Sequence, residues 1–298
     1  MDIAVSGASG LIGTALTASL VNDGHRVRRL VRDGAAGADV VHWAPITGTI
    51  DAAALEGVDA VVHLAGEGIG NRRWTDGQKQ RMLESRTRGT GLLARTVATL
   101  QQPPRAFVSA SAIGYYGNRG DELLTEASSG GSGFLADICR QWEASTARAT
   151  DAGIRVAHLR TGIVLDPHGG VLARLLLPFR LGLGGRVSTG RQYMSWISLR
   201  DEVRAIRFVL GQELEGAVNL TAPNPVTNAE FTRTLGHALH RPTVVPTPLF
   251  ALKARYGAEL VRTLVVEGQR VRPAALTAAG FDFADPELAG ALPSVLDG

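Results

Sequence analysis

The sharpest chemical signal in the sequence is VSGASGLIG, residues 5–13, in which Gly7, Gly10 and Gly13 recur at three-residue spacing. Ser9, Leu11 and Ile12 complete a turn that leads from an apolar run into a helical pattern. Glycines at such a junction permit a tight turn and close backbone approach, and the free N–H groups of the first helical turn can hold a diphosphate. A glycine triplet alone also describes a plain turn. Its place between a strand pattern and an amphipathic helix makes dinucleotide binding the expectation. The second strand pattern ends Leu30-Val31-Arg32. An acid there would bond ribose hydroxyls, whereas the Arg32 guanidinium suits a 2′-phosphate, so the expected cofactor is NADP(H). A solvated surface arginine is the alternative, because Arg28 and Arg29 crowd the same region.

Further candidates fall where strand patterns end, the edge at which open α/β sheets bind ligands. Leu64, Ala65, Gly66 and Glu67 follow a fourth apolar run, and their small side chains let a ribose lie against the backbone. Ser109 and Ala110 close a fifth run, and Arg160 and Thr161 close a sixth; these four join the cofactor-facing set. Ser111 can bond a substrate oxygen or simply cap a turn, and Tyr116 can bring a phenol to the same pocket or pack beneath it. These two are the candidate catalytic residues. Arg73 and Trp74 follow the fourth strand, and Arg191 and Trp196 could face them. Together they suggest an anionic or aromatic substrate group, with an interlobe network of solvated arginines as the alternative. Cys139 reads as core, and the histidines lack metal-ligand spacing, so no metal is expected.

The elements that must position these residues alternate. Strand patterns over 2–6, 26–31, 40–43, 58–64, 106–110 and 154–160 are separated by helical patterns over 11–21, 76–100 and 134–150. That order implies an α/β fold, a doubly wound parallel sheet of Rossmann type. Residues 1–165 are expected to form the dinucleotide-binding domain, and 166–298 a smaller substrate lobe, with 217–221 a candidate to return to the sheet. At 298 residues with 45% hydrophobic content, the chain can build such a core. A net charge of only +3, without an aromatic-basic stripe, argues against nucleic acid. No apolar run suggests a membrane span, no signal-peptide pattern opens the sequence, and there is one cysteine. A cytoplasmic protein with a small-molecule substrate is expected; a homodimer is left open.

Linked motifs carry a resemblance. HLAG (63–66) and WISLRDEVRAI (196–206) are similar to segments of extended short-chain dehydrogenase/reductases. LAGE, RRW (72–74), Ser85-Arg86, GYYG (114–117), Trp142-Glu143, LRTGIVL (159–165), LLPFRLGLGG (176–185) and GRQYMSWI (190–197) resemble one subgroup more closely. That subgroup is the NAD-dependent epimerase/dehydratase-like "epimerase family". Its C-terminal extension, about 247–298, is recognisable in EGQRVRPAALTAAGFDF (267–283). The resemblance implies that Val31 and Arg32 meet the adenosine phosphate, that Leu64 and Ala65 line the ribose, and that Arg86 approaches the cofactor from the long helix. Ala44 and Ser198 depart from the pattern, which implies looser adenine contacts and weaker hydrogen bonding at the lobe junction. The larger departure is chemical. Most such enzymes use Tyr-x-x-x-Lys to move a proton and hold the ribose. This chain has no such pair; Leu135 and Cys139 occupy the positions. Two functions therefore stand: an NADP(H)-dependent oxidoreductase or epimerase-like enzyme on a small polar substrate, and a non-catalytic NADP(H)-sensing protein that binds a partner.

Overall fold

A computed structural model describes residues 1–32 and 37–297. The first half alternates as Asp2–Ser6 (β1), Leu11–Asn22 (α1), Arg26–Val31 (β2), Val40–Ala44 (β3), Thr49–Ile50 (β4), Ala60–His63 (β5), Asp76–Val97 (α2) and Ala106–Ala112 (β6). A short strand, Leu123–Leu124 (β7), precedes Phe134–Ala144 (α3), Ala147–Asp151 (α4) and Arg155–Thr161 (β8). The helical pattern over 134–150 is thus two helices, broken at Ser145-Thr146. One eight-stranded sheet runs β4-β3-β2-β1-β5-β6-β8 and ends on Gly216–Leu220 (β12). Its pairs are parallel except β3 with β4. This is the Rossmann-type doubly wound sheet.

Both faces of the sheet are covered, which is why β1 and β5 read as continuous apolar runs. One face packs Ile3, Val5, Leu16, Val62, Val108 and Leu159 with Val203 and Ile206. The other packs Ala4, Val61 and Phe107 under Leu93 and Val97 of α2.

Between β8 and β12 lie Ile163–Asp166 (β9), Gly170–Arg180 (α5), Tyr193–Met194 (β10), Trp196–Ser198 (β11) and Leu199–Gly211 (α6). After β12 come Val226–Thr227 (β13), Asn228–Ala238 (α7), Leu249–Tyr256 (α8), Ala258–Val261 (α9), Arg270–Val271 (β14), Ala274–Ala278 (α10) and Leu288–Asp297 (α11). The C-terminal extension spans both parts of the molecule. Leu276 and Phe281 join the sheet core, whereas Leu288 and Leu292 join a lobe core around Trp196 and Phe231. Ser198, expected to weaken hydrogen bonding at the lobe junction, makes two hydrogen bonds there. Its hydroxyl donates to Asp285 Oδ2 at 2.6 Å and accepts the Asp201 N–H at 3.2 Å.

Helix starts differ in their caps. The first-turn N–H of α2 is capped by the Thr75 side chain, that of α6 by Ser198 and that of α7 by Thr227. Gly10 before α1 offers no side chain, like Gly133 before α3 and Gly169 before α5, but α1 alone of these three follows the central strand β1 directly. The first-turn donors of α1 are left for another partner.

Candidate functional site

The cradle is built by close backbone contact. Gly7 has φ 71, and a Cβ on it would come within 2.8 Å of the Ala65 N. A Cβ on Gly13 would come within 2.1 Å of the Gly7 carbonyl oxygen. Gly7 is therefore fixed by packing of the turn against the end of β5, and Gly13 by packing within the turn itself, before any ligand is considered. Ser9 and Gly10 are exposed, and Leu11 and Ile12 are half-buried above the buried Gly13. An uncapped helix start facing solvent at the carboxyl edge of β1 fits a diphosphate.

Arg32 lies exposed just past β2 and lines a cavity of about 260 Å³ with His42, Trp43, Ala44, Thr49, Ile50 and Asp51. Val31 is half-buried beside it. The Asp51 carboxylate accepts the Ala54 N–H at 3.2 Å. Ala44, the departure from the resembled pattern, is one of the residues lining this cavity.

After β5 the chain is held rigidly. The Glu67 N–H donates to Ser85 Oγ at 3.0 Å, and the Glu67 carbonyl accepts from Arg86 Nη1 at 2.9 Å. Arg86 lies under Gly66, donates to the Met82 carbonyl at 3.0 Å and stacks on the Trp142 ring at 4.8 Å. Burial lowers its pKa, partly offset by the nearby Cys139 and Glu67. Leu64 and Ala65 remain half-buried at this edge. Cys139 itself is enclosed, and burial pushes its thiol up to about 11, so it offers no thiolate at neutral pH.

At the other end the candidate residues converge, but on each other. Ser111 donates to Glu143 Oε1 at 2.7 Å. Arg160 clamps both oxygens of Glu143, each at 2.9 Å, and donates to the Tyr116 hydroxyl at 3.0 Å. Tyr116 donates to Asn219 Oδ1 at 2.7 Å, and Asn219 donates to the Arg272 carbonyl at 3.0 Å. Arg160 also stacks over the Tyr115 ring at 3.4 Å. Tyr116 is fully enclosed, and burial raises its pKa against the opposing bonds from Arg160 and Asn219. Burial also disfavours the Glu143 charge, yet the Arg160 and Ser111 hydrogen bonds hold its pKa below the usual carboxylate value.

The remaining expected residues divide. Ala110 is half-buried, but Ser109 is fully enclosed and donates to the Ala110 carbonyl. Thr161 donates to Glu202 at 2.9 Å rather than to open space. Trp74 bonds the Ile69 carbonyl at 2.8 Å and meets Phe134 edge-on at 5.3 Å. Arg73 donates to the Ala254 carbonyl. Arg191 is exposed. Trp196, expected to face substrate, is 0% exposed in the lobe core with its indole N–H on the Asn224 carbonyl. Its size and N–H suit packing as well as binding, and the run around it has no periodicity that separates the two. Sequence reasoning missed Glu143 and Asn219 as members of the network. Glu143 stood within a family motif; Asn219 had no signal short of its tertiary contact.

Fold, cradle and network define a Rossmann-type nucleotide-binding protein of the short-chain dehydrogenase/reductase class. The sequence profile of the NAD dependent epimerase/dehydratase family matches residues 3–220, and that of a domain of unknown function, DUF1731, matches 247–295. The chain belongs to the NAD dependent epimerase/dehydratase family. An epimerase family protein of Mycobacterium tuberculosis is 48% identical over 282 residues, covering 94% of this chain and 93% of that one. The crystal structure of human epimerase family protein SDR39U1 (isoform 2) with NADPH superposes with a TM-score of 0.91 at 36% identity, covering 100% of both chains. A nucleoside-diphosphate sugar epimerase from Corynebacterium glutamicum gives 0.82 at 36% identity, covering 99% of this chain and 58% of that one. Among the described residues no helix is long and apolar enough to cross a membrane, and no cluster of His, Cys, Asp and Glu could hold a metal.

Proposed function

We propose that this chain binds NADP(H) along the carboxyl edge of its sheet and serves as an oxidoreductase or epimerase-like enzyme for a small polar substrate. The observation that carries the reading is the uncapped start of α1 after β1, together with Arg32 just past the neighbouring strand β2, where it lines a cavity. In this reading the first-turn N–H groups of α1 hold the diphosphate, Arg32 holds the 2′-phosphate, and Leu64, Ala65 and Ala110 line the ribose edge. Arg86, beside Cys139 and beneath Gly66, supplies positive charge near the place where the usual lysine would stand. Bound there, the nicotinamide supplies two-electron chemistry. Cytoplasmic placement, with a single enclosed cysteine, is part of the proposal.

Ser111 is the residue proposed to meet the substrate. Its hydrogen is engaged by Glu143, so its lone pairs are the groups available to a ligand, and a substrate hydroxyl would donate to it. Tyr116 is proposed as a positioning residue that acts through Arg160, with solvent water moving the proton. Its enclosed hydroxyl already donates to Asn219 and accepts from Arg160. The test is NADPH oxidation with a panel of carbonyl compounds, followed by nicotinamide absorbance. Turnover that falls about 100-fold in Ser111→Ala supports the enzyme. NADPH binding without turnover of any compound favours the second reading, an NADP(H)-sensing protein. That reading draws on the closure of both candidate catalytic hydroxyls into one network.

A further inference from the structure

We propose that the face formed by the end of α5, the segment before α8 and the start of α8 docks on an anionic lipid bilayer. The contact is peripheral, because among the described residues no helix is long and apolar enough to cross a membrane. It goes beyond the reading above and does not depend on it.

Charge is segregated along the chain. Residues 167–200 and 231–258 hold nine of the 31 Lys and Arg and none of the 28 Asp and Glu, so the rest of the chain carries 22 against 28. The positive excess therefore sits wholly on these two segments, and an anionic partner is drawn to them rather than to the molecule at large. The fold lays parts of the two segments side by side. The Thr247 N–H donates to the Arg186 carbonyl at 3.0 Å, its hydroxyl donates to the Gly185 carbonyl at 2.8 Å, and Arg241 Nε donates to the Arg180 carbonyl at 2.8 Å. Val187 and Thr247 form a parallel bridge. Arg180, Arg186, Arg241 and Lys253 are exposed, and among the described residues none of them has a salt-bridge partner.

Apolar side chains gather on the same strip. Of eleven exposed large hydrophobic residues, six are Leu177, Leu181, Leu183, Val244, Val245 and Phe250, which makes this a patch rather than a scatter. Leu177, Arg180 and Leu181 share one face of α5 and its C-cap by their spacing, and Phe250 and Lys253 share one face of α8. No residue of α8 is buried, and Phe250 is 78% exposed. Projecting apolar side chains beside cations that no carboxylate neutralises fit a lipid surface. The side chains enter the boundary between headgroups and acyl chains, the cations meet headgroup phosphates, and no shaped counterpart is required. A second copy of this chain fits worse, because a two-fold contact through this face would set cation against cation.

The test mixes the full chain with vesicles of phosphatidylcholine alone, or of equal parts phosphatidylcholine and phosphatidylglycerol, and measures co-sedimentation. Wild type is expected to bind the anionic vesicles at least about tenfold more tightly than the neutral ones, and added salt should release it. L181S/F250S and R180E/K253E should each weaken that binding about tenfold or more. Val21→Ser, which removes an exposed apolar side chain on α1, should leave it unchanged. Circular dichroism and thermal midpoints matching wild type report that all three variants are folded. Equal binding to both kinds of vesicle, or binding to neither, overturns the proposal. So does anionic binding that survives both double variants or is lost equally in V21S. A lipid-free dimer seen by analytical ultracentrifugation and dissociated by L181S/F250S would assign the face to a second copy and overturn it too.

Discussion

The two ends of the sheet edge are built on opposite principles. At the end where adenosine is proposed to bind, donors are left open: an uncapped helix start, and Arg32 at the rim of a cavity. At the opposite end, donors and acceptors are closed on each other through Ser111, Glu143, Arg160, Tyr116 and Asn219. A ligand can supply what the first end lacks. At the second it must share what is already paired. In the proposed reading, cofactor binding and chemistry rest on different parts of this chain: the absence of Tyr-x-x-x-Lys removes a proton carrier and one holder of the ribose, and leaves the glycine cradle untouched.

The largest expected effect breaks the open end. Gly13→Ala forces a Cβ to within 2.1 Å of the Gly7 oxygen and must displace the turn. NADPH affinity, measured by fluorescence titration, should fall more than about 100-fold. Glu143→Gln breaks the closed end by leaving Arg160 charged and half-paired. Urea denaturation should show a loss of about 3–5 kcal/mol, with NADPH affinity retained in the folded fraction. The double variant E143M/R160M should recover part of that loss, because no unpaired charge remains.

A smaller effect sharpens the contrast through a second buried acid. Glu202 is enclosed, with Thr161 its only hydrogen-bond partner among the described residues, and burial pushes its pKa up to about 8. Its native form holds a proton that the unfolded chain releases near its ordinary value of 4.5. Stability should therefore fall as pH rises from that value towards 8, by on the order of a few kcal/mol, and Glu202→Gln should flatten the slope. Glu143 works with the opposite sign. Its lowered pKa contributes stability that is present above the ordinary value and lost as pH falls through the native one. Stability measured against pH in E202Q and in wild type separates the two.

How much of this was legible follows from the range of the interactions. The cradle is a local matter of three glycines between a strand and a helix, so sequence carries it. The position of Arg32 just past β2 was equally readable, because it stands at a fixed offset from its strand. The alternating strands gave the parallel sheet. The network was not readable, because Glu143 on α3, Arg160 on β8 and Asn219 on β12 meet only once the sheet is assembled. Tyr116 was recognised as a phenol near Ser111, but its enclosure by Val271 comes from the far end of the chain. Gly257, whose φ of 91 separates α8 from α9, breaks a stretch whose apolar spacing runs on across it.

The most direct test of the central claim is a calorimetric titration of wild type and Arg32→Ala with NADPH and with NADH. Wild type should bind NADPH more than about tenfold tighter than NADH, and the substitution should erase that difference while leaving NADH unchanged. Equal affinity of wild type for the two cofactors, or no heat from either, would contradict the account.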